Sequence, residues 1–141
     1  MESFTPSLRI VVIDDERDAV STLMMVLGRE GHELWGAYSG KQGLAAVFSF
    51  EPHAVFVDIG LPDMSGYEVA QRIRARSSAR PPLLIGMSGG YTRGGDQVIA
   101  EVSGLDHYLL KPYDIASVLA LLAPLALPPR RAVEGAQFRN P

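Results

Sequence analysis

The chain has no cysteine among its 141 residues, which excludes disulfides, thiolate metal sites and cysteine nucleophiles together. A cytosolic, cytoplasmic setting is the simplest expectation. Lysine is almost as scarce: Lys41 and Lys111 are the only two, so chemistry that needs an ammonium group has few candidates. No apolar stretch reaches the roughly 18–20 uncharged residues of a membrane span. The start, Met1-Glu2-Ser3-Phe4-Thr5-Pro6, lacks the basic-then-apolar pattern of a secretory leader. The formal net charge is -3 and no basic block occurs before Arg130-Arg131, so no nucleic-acid surface and no membrane contact are expected. What is present is a series of short apolar runs, enough for one domain with a single core.

Those runs alternate in period. Residues 8–13, Leu-Arg-Ile-Val-Val-Ile, read as a strand buried on both faces, stopped by Asp14 and Asp15. Residues 17–30 carry Val20, Leu23, Met24 and Leu27 at helical spacing and end at Gly31. A weaker strand over 33–38 precedes a helix at about 40–50. Residues 54–57 form a third strand with Asp58 at its end, and a turn-rich loop with Gly60 and Pro62 leads to a helix over 66–76. A fourth strand over 83–87 ends at Ser88. Glycines 89, 90, 94 and 95 make a loop before a short helix at about 96–103, and a fifth strand over 107–110 ends at Lys111-Pro112. Asp114 caps a last helix with Ile115, Val118, Leu119 and Leu122 inward. These elements form a single unit over 1–123; from Pro124 the pattern breaks, and 124–141 is expected to be a disordered tail, dispensable for folding. Five strands alternating with five helices imply an α/β fold, a doubly wound parallel sheet with helices on both faces.

In such sheets ligands bind beyond the carboxyl ends of the strands. Asp14 and Asp15 end the first strand, Asp58 the third, Ser88 the fourth and Lys111 the fifth, so all five belong on one edge. Three carboxylates in one place repel unless a cation intervenes, and hard oxygen donors without His or Cys suit Mg²⁺. A carboxylate can attack phosphorus to give an aspartyl phosphate. Mg²⁺ on Asp15, the Lys111 ammonium and the Ser88 hydroxyl would then share the charge on the transferred oxygens. Each piece alone has a plainer reading. An Asp-Asp pair after a strand is often a turn or cap, Ser88 a loop residue, and Lys111 a solvated strand end. His32, His53 and His107 share no metal-ligand spacing and read as surface or structural. Arg72, Arg74 and Arg76 read as the wet face of a helix.

The blocks Val-Val-Ile-Asp-Asp-Glu (11–16), Val-Phe-Val-Asp-Ile-Gly-Leu-Pro-Asp-Met-Ser-Gly-Tyr-Glu-Val-Ala (55–70), Met-Ser-Gly-Gly (87–90) and Asp-His-Tyr-Leu-Leu-Lys-Pro-Tyr-Asp (106–114) resemble the signature blocks of bacterial response-regulator receiver domains. The resemblance covers about 7–123, and its Asp-Ile-Gly-Leu-Pro version is most similar to receivers of hybrid histidine kinases. It implies a flavodoxin-like sheet of order 2-1-3-4-5. It implies Asp58 as phosphoacceptor, Asp15 and Asp58 as direct Mg²⁺ ligands, Gly60 as a ligand through its carbonyl, and Asp14 as a ligand through water. Lys111 is implied as the phosphate-binding lysine with a cis bond to Pro112, and Ser88 and Tyr108 as a switch pair. The implied role is a phosphorelay module. It takes a phosphoryl group from a histidine kinase or histidine phosphotransfer protein and switches a binding surface for a downstream protein, with no catalysis beyond its own phosphorylation and dephosphorylation. Two departures fall on the fourth helix: the glycine-rich 89–95 stretch, and a gap from Ser88 to Lys111 about one residue longer than usual. The rival readings are a Mg²⁺-dependent phosphohydrolase passing through aspartyl phosphate, and a receiver-like scaffold that is never phosphorylated. The hydrolase would call for a second acid two residues after Asp58, where Gly60 stands.

Overall fold

In the computed structural model of the chain, residues 7–76, 79–89 and 104–126 are described. The strands are β1 (Arg9–Ile13), β2 (Glu33–Ala37), β3 (Ala54–Asp58), β4 (Leu83–Ser88) and β5 (His107–Leu110); the helices are α1 (Arg17–Arg29), α2 (Gly40–Phe50), α3 (Gly66–Ala75) and α4 (Ile115–Ala126). All strand pairs are parallel and the order is β2-β1-β3-β4-β5, as the resemblance implies. The helix expected at about 96–103 lies outside the described residues.

The continuous β-branched runs form the central strands because both faces are covered. Side chains alternate along a strand. Val11, Ile13, Val55, Val57 and Leu84 pack with Leu44 and Val47 of α2 and Val69 and Ile73 of α3. Ile10, Val12, Phe56, Ile85 and Met87 pack with Val20, Leu23 and Leu27 of α1 and Val118 and Leu122 of α4. Capping sets the helix starts. Ser39 Oγ accepts from Gln42 N at 3.1 Å, Ser65 Oγ from Glu68 N at 3.2 Å, and Asp114 Oδ1 from Ser117 N at 2.7 Å.

Two expectations are corrected. The last helix does not stop at residue 123: α4 continues through Pro124 to Ala126. Leu125 packs against the core beside Leu122. The carbonyl that Pro124 leaves without a donor belongs to Ala120 on the exposed face, where water can take its bond. Residues 127–141 lie outside the described residues. Nor is Arg74 a wet-face residue. Its guanidinium donates to Gly104 O, Pro82 O and Asp106 Oδ2 at 3.0, 2.9 and 2.7 Å, clamping α3 to the approaches of β4 and β5. Arg72 does pair with Glu68 at the surface, and the Arg76 guanidinium lies over the Phe48 ring.

His32 and His53 prove structural. Their Nδ1 atoms accept from two successive amides at the start of β1, Leu8 N at 3.1 Å and Arg9 N at 2.9 Å. Leu8 O and Arg9 O in turn accept from Glu33 N and His53 N, both at 2.8 Å. The imidazoles thus add a rung to the ladder on each side of β1.

Candidate functional site

The carboxyl edge of the sheet gathers the acids because three strands end there in register. Ile13 pairs with Val57 and Asp58 with Met87, so Asp14, Asp58 and Ser88 leave the sheet side by side. Asp14 N donates to Ala37 O at 3.0 Å and its Oδ1 accepts from Glu16 N at 3.0 Å, which fixes both backbone and side chain. Ile59 N donates to Met87 O at 2.8 Å and Lys111 N to Ser88 O at 2.7 Å, so the ladder holds Asp58 and Lys111 as firmly as the strands themselves. The Lys111–Pro112 peptide is cis.

From that frame Lys111 Nζ reaches Asp14 Oδ2 at 2.8 Å and Asp58 Oδ1 at 3.1 Å. Asp14 and Asp58 are buried, at 2% and 8% exposure, whereas Asp15 is exposed. One oxygen from each of Asp14, Asp15 and Asp58 lies within 4.8 Å of the others. One ammonium therefore faces three carboxylates. Burial pushes the Asp58 carboxyl above its ordinary value; the Lys111 hydrogen bond opposes this, and the charges of Asp14 and Asp15 add to it. For Lys111, burial works against the charge, yet the hydrogen bonds to Asp14 and Asp58 and their negative charges outweigh it and raise the value. The local charge is thus undercompensated, and the donors are all hard oxygens with an open side at Asp15. That donor set fits a hard divalent cation.

Gly60 lies beside Asp58. A Cβ there would sit 3.6 Å from Asp58 Oδ2, the oxygen on the opposite side of the carboxyl from Lys111. Ser88 is partly exposed at the end of β4, paired with Leu110. Tyr108 pairs with Gly86 in β5 and packs half-buried against the core on the α2 and α3 side. The structure thus brings Asp14, Asp15, Asp58 and Lys111 into one cluster, with Gly60 and Ser88 at its rim. Tyr108 stands one layer away.

Three contributors had no role assigned from sequence. Gly66 N donates to Ile59 O at 2.9 Å, and a Cβ at Gly66 would strike the Asp58 backbone carbonyl, so only glycine lets α3 start this close. Tyr113 is half-buried beside Lys111; burial raises its phenol above the ordinary range, with Lys111 opposing. Asp63 accepts from Gly40 N and Lys41 N. Gly66 and Asp63 both lie in the 55–70 block, which was the available signal.

A site at the carboxyl ends of β1 and β3, where the strand order turns back, is that of a doubly wound α/β protein binding its ligand at the switch point. Residues 10–123 match the family described as response regulator receiver domain, and the chain belongs to that family. The transcriptional regulatory protein TcrA of Mycobacterium tuberculosis is 32% identical over 119 residues, which are 84% of this chain and 46% of that protein. The chain spans about half the length of the curated relatives it matches. A CheY-like response regulator receiver domain protein from Methanospirillum hungatei is 26% identical with a TM-score of 0.77, covering 86% of this chain and 94% of its own. The receiver domain of Ssk1 from Saccharomyces cerevisiae, in a co-crystal with the histidine phosphotransfer protein Ypd1, shares the fold with a TM-score of 0.77 at 22% identity, covering 89% and 95%. Among the described residues no helix is long and apolar enough to cross a membrane.

Proposed function

We propose that Asp58 accepts a phosphoryl group from a phosphohistidine on a histidine kinase or histidine phosphotransfer protein. The observation that carries this is the single ammonium of Lys111 bridging two buried carboxylates where a third converges. Asp58 Oδ2 attacks phosphorus as the bond from phosphorus to the donor imidazole nitrogen breaks, and that nitrogen keeps the electron pair. Lys111 holds Oδ1 and so orients Oδ2 outward; its charge also faces the transferred oxygens. Asp15, Asp58 and the Gly60 carbonyl would hold Mg²⁺, with Asp14 acting through water. Bound there, the cation neutralises the crowded acids and the phosphoryl oxygens. The Ser88 hydroxyl takes a phosphoryl oxygen, and Tyr108 turns toward the space this vacates, altering a surface that a downstream protein reads. The chain catalyses nothing beyond its own phosphorylation and dephosphorylation, contacts no nucleic acid itself, and works in the cytoplasm. The Ssk1 receiver co-crystallised with a phosphotransfer protein illustrates the class of donor.

With acetyl phosphate as donor, the wild-type protein should gain one phosphoryl group in Mg²⁺ and none in EDTA, and Asp58→Asn should gain none. Wild-type labelling of Asp58→Asn would overturn the assignment.

A further inference from the structure

Asp63 has no place in the chemistry above, yet it makes two of the shorter hydrogen bonds near the site. Its Oδ1 accepts from Gly40 N at 2.8 Å and its Oδ2 from Lys41 N at 2.9 Å. These are the first two amides of α2, more than twenty residues away in sequence. The amide donors hold its carboxyl below the ordinary range. We propose that Asp63 is a positioning residue for the phosphoryl site: by pinning the loop between β3 and α3 to the start of α2, it fixes Gly60 beside Asp58. This inference rests on the function proposed above.

The loop leaves β3 at Ile59 and enters α3 at Gly66, closed at its neck by the Gly66 N to Ile59 O bond. Its far side is held by Leu61, which is buried, and by Asp63. Next to Asp63, the Met64 side chain fills the space where a Cβ on Gly40 would stand, with Val69 Cγ2 3.2 Å from that point. Loop and helix start are therefore pressed together by hydrogen bonds and by packing. α2 is itself seated on β1, since the Ile13 side chain occupies the Cβ position of Gly43, and Ile13 is the residue before Asp14. Asp63 thus ties the Gly60 side of the cluster to the frame that carries the Asp14 side. Supporting groups of this kind set metal affinity through the placement of the ligands they hold.

The plainer reading is that Asp63 merely caps α2. That helix already has a cap of its own in Ser39, whose Oγ takes Gln42 N, and this provides the control. Mg²⁺ affinity of each folded variant is measured by calorimetry. Asp63→Ala should weaken Mg²⁺ binding by about tenfold. Asp63→Asn, keeping one acceptor, should fall between it and wild type. Gly40→Ala, which pushes Met64 and the loop away from the helix side, should weaken binding too. Ser39→Ala should lower the melting temperature and leave Mg²⁺ affinity unchanged. A wild-type affinity in Asp63→Ala, or equal losses in Asp63→Ala and Ser39→Ala, would overturn the positioning role while leaving the phosphoacceptor reading intact. A wild-type protein that binds no Mg²⁺ would overturn both.

Discussion

The two ends of the same five strands are built to opposite rules. At the amino edge, two histidines and an arginine pair with backbone groups. His32 and His53 accept the Leu8 and Arg9 amides. The Arg9 guanidinium donates to Phe50 O at 3.0 Å and Glu51 O at 2.8 Å, holding Glu51 in a left-handed conformation with φ 52°. At the carboxyl edge, Asp14 and Asp58 share one lysine with Asp15 beside them, and Asp58 is held above its ordinary pKa by burial, with its acidic neighbours adding to this and the Lys111 hydrogen bond opposing it. Side-chain to backbone hydrogen bonds brace one edge. The other is left with surplus negative charge that a bound cation would relieve. Such local mismatch is where ligand chemistry is expected to reside.

The comparison breaks most sharply if Lys111 is removed. Lys111→Met leaves Asp14 and Asp58 buried without a counter-charge. Denaturant titration of the metal-free protein should show a loss of about 3 kcal/mol, and phosphorylation should be abolished. A stability equal to wild type would mean that the carboxyl edge carries no charge tension.

A smaller effect should come from relieving that tension. Millimolar Mg²⁺ at constant ionic strength should raise the melting temperature of the wild type by mass action. Because the folded carboxyl of Asp58 binds its proton more tightly than the ordinary value of 3.8, ionising it costs stability as pH rises through the folded value. Asp58→Asn should therefore melt about 3 °C higher than wild type at neutral pH without metal, and gain less from Mg²⁺. A lower melting temperature in Asp58→Asn would contradict this.

The smallest effect belongs to the amino edge and has the opposite sign in pH. Burial holds both histidines below the ordinary 6.5; Glu30 opposes this at His32, while Arg9 and Arg80 reinforce it at His53 against Glu33. The unfolded chain thus binds protons that the fold does not. Their contribution is fully present above about 6.5 and is lost as pH falls toward the folded values. Replacing both by Asn, whose Oδ1 can take the same amides at any pH, should flatten the stability profile between about pH 5 and 6.5. An unchanged slope in the double variant would show that these imidazoles are not the groups titrating.

The sheet and the cluster were legible in sequence for one reason. The candidate site lies at strand ends, and strand ends are marked by an apolar run meeting Asp14, Asp58, Ser88 or Lys111. The long crossings were not legible. That Asp63 would reach Gly40 and Lys41, Arg74 reach Gly104, and His32 and His53 reach β1 depends on which elements lie side by side. Short-range period carries no information on that. Pro124 shows the same limit from the other side. Its helix-breaking propensity argued for an end at 123, and the packing of Leu122 and Leu125 outweighed it.

The most direct test of the account is to phosphorylate the wild-type protein with acetyl phosphate in Mg²⁺, trap the acyl phosphate by borohydride reduction, and sequence the peptides by mass spectrometry. Reduction converts an aspartyl phosphate to homoserine, so the account predicts homoserine at position 58 and unmodified aspartate at 14, 15 and 63. Homoserine at any of those three positions, or a stable phosphoester on Ser88 or Tyr108 with Asp58 unmodified, would contradict it.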